Sequence, residues 1–169
     1  MTLGLAAARA ARSAVDSPRS LSFVHTHTGE QLTATYFDGA TYCGAALQQV
    51  NQLLRDFRTE AVFPIDPAVL DRLYWLRNAA GRDEPFHVIS GYRSPATNAA
   101  LRARSSGVAE NSLHMQGRAI DVRMPGTPTG QLALMARGQA CGGVGYYRVS
   151  DFIHVDTGRV RCWGDTIES

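Results

Sequence analysis

With 169 residues, 44% of them hydrophobic and 19% charged, the chain is long enough for one domain with a single core and too short for two. Its net charge of +2 comes from 17 basic residues, all arginine, scattered without a dense run or interleaved aromatics, which argues against a nucleic-acid footprint. No stretch approaches the length of a membrane-spanning helix.

The first twenty residues, Met1 to Ser20, are rich in alanine, arginine and serine around Leu3-Gly4-Leu5-Ala6-Ala7-Ala8. They read either as the remnant of an export signal whose basic front is missing, or as a frayed, disordered tail. Residues 21–169 then form the single domain. Leu21 to Tyr36 alternates hydrophobic residues with threonine and histidine around Thr28-Gly29-Glu30, the pattern of two short strands and a turn. From Gly44 to Phe57, Leu47, Val50, Leu53, Leu54 and Phe57 recur at helical spacing. Asp66 followed by Pro67 marks the start of a second helix, with Val69, Leu70, Leu73 and Leu76 on its buried face. Phe86 to Ser90 is a strand running into the turn Gly91-Tyr92-Arg93-Ser94-Pro95, and a helix follows to about Arg104. Arg118 to Val122 is a further strand, Thr129 to Ala140 a helix, and Val144 to Tyr147 with Phe152 to Asp156 the last two strands. Helices early and strands late predict an α+β fold, with helices packed mainly on one face of a small antiparallel sheet.

Cys43, Cys141 and Cys162 lie far apart with no C-x-x-C pair, which argues against a thiolate zinc site or a redox motif. One disulfide with a thiol left over and three free thiols both remain open. The chemistry concentrates in two other stretches. Ser112-Leu113-His114-Met115-Gln116-Gly117-Arg118-Ala119-Ile120-Asp121 offers a histidine and an aspartate separated by a glycine turn. Asp151-Phe152-Ile153-His154-Val155-Asp156 adds a second histidine on a strand. Two imidazoles and one carboxylate suit a catalytic zinc ion, which keeps its fourth position open for water. Zinc beside one ionised aspartate leaves a net positive centre that acidifies that water and polarises a carbonyl, both of which amide hydrolysis requires. A Ser–His–Asp triad from Ser112, His114 and Asp121 has no G-x-S-x-G elbow behind it and is set aside.

His25 and His27 also alternate along a strand, but Glu30 is the only nearby carboxylate, so they are read as solvent-facing hairpin residues. His87 at a strand start is read as structural. Ser112 and Gln116 either line a cleft or orient the loop around His114. Tyr92, Tyr146 and Tyr147 either shape a groove or belong to the core.

The pattern S-x-H-x-x-G-x-A-x-D at Ser112, His114, Gly117, Ala119 and Asp121, followed by a late histidine on a strand, resembles the zinc D-Ala-D-Ala peptidase superfamily, which includes lysostaphin-type enzymes and hedgehog-like domains. Ser90-Gly91-Tyr92-Arg93-Ser94-Pro95, Gly142-Gly143-Val144-Gly145-Tyr146-Tyr147, His154-Val155-Asp156-Thr157-Gly158 and Trp163 are similar to its murein endopeptidase branch, which hydrolyses cross-links between diaminopimelate residues. The resemblance runs from about Leu21 to Trp163. It implies zinc held by His114, Asp121 and His154 at the sheet, Arg93 on a substrate carbonyl or carboxylate, peptidoglycan peptide stems as the substrate, and an exported, periplasmic setting; a monomer is expected.

For the general base, relatives of this kind place a histidine two residues before the last ligand or a glutamate three before it; here those positions are Phe152 and Asp151. Asp151 is a shorter stand-in for the glutamate. Asp156 shares a strand face with His154 and is the favoured candidate, its alternative role being to orient a ligand. The missing histidine or glutamate also leaves room for an inactive zinc-containing cell-wall or protein-binding module, and a carboxypeptidase trimming terminal D-alanine is a further alternative.

Overall fold

Alternation of apolar and small polar residues makes Arg19–His25 a strand (β1), with Leu21, Phe23 and His25 buried and the residues between them turned outward. Gly29, at φ 75°, turns the chain into β2, Gln31–Phe37, antiparallel to β1. In this computed structural model, which describes residues 17–105 and 107–167, the hairpin is one edge of a seven-stranded sheet. Helix α1, Gly44–Leu53, buries Val50 and Leu53 and packs on β2. Helix α2, Pro67–Ala80, begins as its sequence predicts: the Asp66 carboxylate accepts from the Ala68 N–H at 3.0 Å, and Pro67 takes the first helical position.

Next come β3 (Phe86–Ser90), α3 (Pro95–Arg102), β4 (Ala119–Arg123), α4 (Thr129–Gly138), β5 (Gly143–Tyr147), β6 (Phe152–Asp156) and β7 (Arg161–Gly164). The sheet order is β2-β1-β3-β4-β6-β5-β7. The α+β class stands, but the sheet is neither small nor purely antiparallel, since β1 with β3 and β5 with β7 run parallel. The first parallel pair is possible because α1 and α2 supply the long crossover such a connection needs. The second rests on β7, whose Arg-Cys-Trp-Gly sequence has no apolar alternation to announce a strand.

Helices α2 and α4 pack on each other, and α4 covers β5 and β6. Ile120 and Val122 of β4 and Ile153 and Val155 of β6, each at most 1% exposed, join Leu132, Ala133 and Ala136 of α4 in the core. Burying each of these larger side chains contributes about 1.5–3 kcal/mol. Because side chains alternate along a strand, the same burial turns Asp121, His154 and Asp156 to the opposite face. Residues 1–16, which hold most of the proposed export segment, lie outside the described residues; Arg19 and Ser20 of that segment are already strand.

Candidate metal centre

Asp121 and His154 sit directly opposite each other on the antiparallel pair β4/β6. His114 arrives from a short 3₁₀ turn, Leu113–Gln116, whose N-cap Ser112 accepts from the His114 N–H at 3.4 Å. Ser112 therefore orients the loop and also lines the cleft above it. Gly117 closes the turn at φ 64°, and a Cβ there would lie 2.0 Å from the Pro64 carbonyl oxygen, so this place in the motif admits glycine alone. His114, Asp121 and His154 are 2%, 7% and 9% exposed.

Their facing atoms form a tight triangle. His114 Nε2 lies 3.1 Å from His154 Nδ1 and 3.2 Å from Asp121 Oδ1, and His154 Nδ1 lies 2.9 Å from Asp121 Oδ1. Neighbouring ligand atoms around a tetrahedral zinc with bonds of about 2.0–2.1 Å stand roughly 3.3 Å apart. The outer nitrogens decide what the inner ones carry. His114 Nδ1 is 2.7 Å from the Gly91 carbonyl oxygen, which can only accept, so this nitrogen bears the proton. His154 Nε2 is 2.9 Å from Asp156 Oδ2 and bears its proton for the same reason. With both rings neutral, two nitrogen lone pairs and a carboxylate oxygen point at one another with no hydrogen between them. A cation at the centre would engage all three donors, so the donor set fits zinc.

The electrostatics of the triangle follow from burial and from the same contacts. Burial pushes His114 below the usual imidazole range. Burial acts on His154 in the same direction, but its contacts with Asp121 and Asp156 outweigh this and raise it. Burial would raise Asp121, yet the two imidazoles hold its carboxyl far below the ordinary range. The site thus keeps a carboxylate ionised in a dry place, the form a metal requires.

Around the triangle lies a cleft of about 470 Å³, bordered by Arg93, the loop before Ser112, and an aromatic wall of Tyr147, Phe152 and Trp163. Arg93, 12% exposed in its side chain, has Nη2 3.5 Å from Asp121 Oδ2, and its buried Nε finds no partner among the described residues. Asp156 lies beneath His154 at 0% exposure, and both its oxygens are engaged. Oδ1 accepts from Gly143 N (3.0 Å), Gly158 N (2.8 Å) and Arg161 Nη1 (3.0 Å); Oδ2 accepts from Arg161 Nη2 (2.7 Å) and the His154 ring. Asp151 occupies a turn at φ 52°, accepts from the Thr129 hydroxyl and from Arg123 Nη1 at 3.3 Å, and does not border the cleft.

Other candidates lie elsewhere. His25 is fully buried, contrary to the solvent-facing expectation, because β1 continues into the core and the ring meets the edge of Phe57. His27 is exposed and stacks on Phe57, and neither histidine joins a metal-binding group among the described residues. Tyr146 belongs to the core, Tyr92 stacks on Phe63, and Tyr147 borders the cleft. The three cysteines are free thiols, Cys141 and Cys162 exposed and Cys43 half-buried. Sequence reasoning did not find Gly91 as the acceptor for His114, nor Arg161 as the clamp on Asp156. A backbone carbonyl leaves no residue-type signal, and Arg161 stands five residues after its partner at the start of β7, a strand whose sequence does not announce itself.

Comparison with known proteins shows the family. Residues 13–163 match the family model described as peptidoglycan L,D-endopeptidase MepK. The Escherichia coli protein named peptidoglycan L,D-endopeptidase MepK is 43% identical over 146 residues, covering 86% of this chain and 80% of the relative. A Haemophilus influenzae protein named probable peptidoglycan L,D-endopeptidase MepK is 43% identical over 147 residues, 86% of this chain and 79% of its own.

Proposed function

The chain belongs to the peptidoglycan L,D-endopeptidase MepK family, and on that premise we propose that it is a zinc peptidase that hydrolyses peptide cross-links between diaminopimelate residues of bacterial peptidoglycan. The observation that carries this reading is the triangle of lone pairs at His114 Nε2, Asp121 Oδ1 and His154 Nδ1. Those three residues would hold the ion. Zinc bound there supplies an acidified water and polarises the carbonyl to be cut.

The chain's own groups do the rest. Arg93, on the border of the cleft, presents a permanently charged, planar fork of donors to the substrate's carbonyl or carboxylate oxygen. Asp156 fixes the His154 ring so that Nδ1 faces inward, and Gly91 does the same for His114. With both its oxygens engaged, Asp156 acts as an orienting carboxylate rather than as the base. Asp151 anchors the β5–β6 turn through Thr129 and Arg123. Burial of the centre removes competing water and strengthens each of these interactions. The substrate lies outside the cytoplasmic membrane, so we place the protein in the periplasm, as a monomer, with the segment before β1 serving export.

The test is digestion of purified peptidoglycan with and without a chelator, followed by mass spectrometry of the muropeptides. The expected result is conversion of diaminopimelate cross-linked dimers to monomers, abolished by chelation and restored by zinc. Dimers that survive the zinc-loaded protein would favour a wall-binding module, and release of free D-alanine alone a carboxypeptidase.

A further inference from the structure

Among the described residues, those bordering the cleft include no carboxylate or imidazole beyond the three facing the centre. Asp156 is buried beneath it and saturated, and Asp151 points to another face. An additional catalytic group must therefore come from a different side-chain type. On β5, Gly145 and Tyr147 share a strand face and pair with His154 and Phe152 of β6. Gly145, opposite His154, has no side chain because the Trp163 indole occupies the space. A Cβ there would stand 2.7 Å from Trp163 Cε2. The indole lies over His154, ring centroids 5.1 Å apart, and its Nε1–H donates to the Tyr147 hydroxyl at 2.9 Å.

That hydrogen bond fixes what the phenol can do. An indole N–H is only a donor, so the Tyr147 oxygen is the acceptor and its own O–H is left to donate elsewhere. Phe152 stacks on the Tyr147 ring, centroids 4.6 Å apart, and limits its swing. The strand position where relatives of the resembled type carry a histidine thus holds the support for a tyrosine. Tyr147 and Arg93 border the same cleft as the three candidate ligands.

We propose that Tyr147 is a further catalytic residue, whose hydroxyl donates to the oxyanion that develops on the cross-link carbonyl, with Arg93 as the second donor and Trp163 as the residue that positions the phenol. This rests on the hydrolytic function proposed above. No proton changes owner in this step: the phenol keeps its O–H bond while the carbonyl π pair moves to oxygen, and strengthens its hydrogen bond as that charge grows.

The test uses the full-length, zinc-loaded protein and two substitutions, Tyr147→Phe and Trp163→Phe. Kinetics are read on a purified diaminopimelate cross-linked dimer, and affinities by calorimetry for a phosphinate that replaces the scissile amide. For Y147F the expected result is a kcat lower by about 100-fold or more, with KM within about twofold. Phosphinate affinity should fall in parallel with kcat. W163F should show the same pattern to a smaller degree, and in both variants zinc content and melting temperature should match wild type. A Y147F protein with wild-type kcat and wild-type phosphinate affinity would overturn the role of Tyr147 while leaving the hydrolytic function intact. Loss of zinc or of folding in both variants would make the wall structural and overturn it too. A wild-type protein that neither cuts the dimer nor binds the phosphinate would overturn both readings.

Discussion

Each histidine of the candidate centre is oriented by what holds its far side. His114 presents Nε2 because Gly91 occupies Nδ1, and His154 presents Nδ1 because Asp156 occupies Nε2. Replacing His114, Asp121 or His154 with alanine should abolish zinc retention. Replacing Asp156 with asparagine should be subtler: the amide disturbs the hold on His154 without removing a ligand. Zinc affinity, measured by competition with a calibrated chelator, should fall about 10–100-fold. An unchanged affinity would detach Asp156 from the metal centre. The three candidate ligands were legible in the sequence through the resemblance carried by Ser112, His114, Gly117, Ala119 and Asp121 with a late histidine on a strand. The outer partners were not, since one is a main-chain oxygen. Asp156 was visible only as a carboxylate sharing a face with His154, and that fact alone does not separate orienting a ring from taking a proton.

At the level of elements, the turn bearing Arg93 depends on a residue well before it in the chain. Asp56, 1% exposed, accepts from the Ser94 N–H at 2.9 Å and from the Arg58 N–H at 3.0 Å. Burial tends to raise its pKa, but hydrogen bonds from Ser94, Thr97 and Arg58 prevail and bring it to about 2. A carboxyl lowered by folding contributes stability that is full above its unfolded pKa of about 3.9 and is lost as pH falls through the folded value. Asp56→Asn should therefore destabilise the protein at pH 6 by on the order of 2 kcal/mol, the scale of buried charge-assisted hydrogen bonds. The difference from wild type in urea midpoint should narrow as pH drops from about 4 towards 2. A gap of constant size across that window would exclude the linkage.

Local signals made most elements readable. The Thr28-Gly29-Glu30 turn, the Asp66-Pro67 helix start and the alternation in β6 all appear where their sequences put them. What escaped was pairing over distance. The parallel contacts of β1 with β3 and of β5 with β7 depend on crossovers and on an edge strand that contains one large aromatic and no alternation.

In the molecule as a whole, the candidate metal centre joins segments 33 and 40 residues apart to a core covered on its other face by helices. Arg72 of α2 makes this connection concrete: its buried guanidinium donates to the carbonyl oxygens of Asp156 and, at 3.2 Å, of Gly143, so the helix layer directly braces the corner that orients His154. Assembly of the site and of the fold are thus one event, which is why no single stretch of sequence displays the centre complete. The most direct measurement of the central claim is the X-ray absorption spectrum of the zinc-loaded protein at the metal edge. The account predicts a four-coordinate shell of nitrogen and oxygen at about 2.0 Å, with the scattering signature of two imidazoles. A sulfur shell at about 2.3 Å, placing the ion on Cys43, Cys141 or Cys162 instead, or a shell without imidazole, would contradict it.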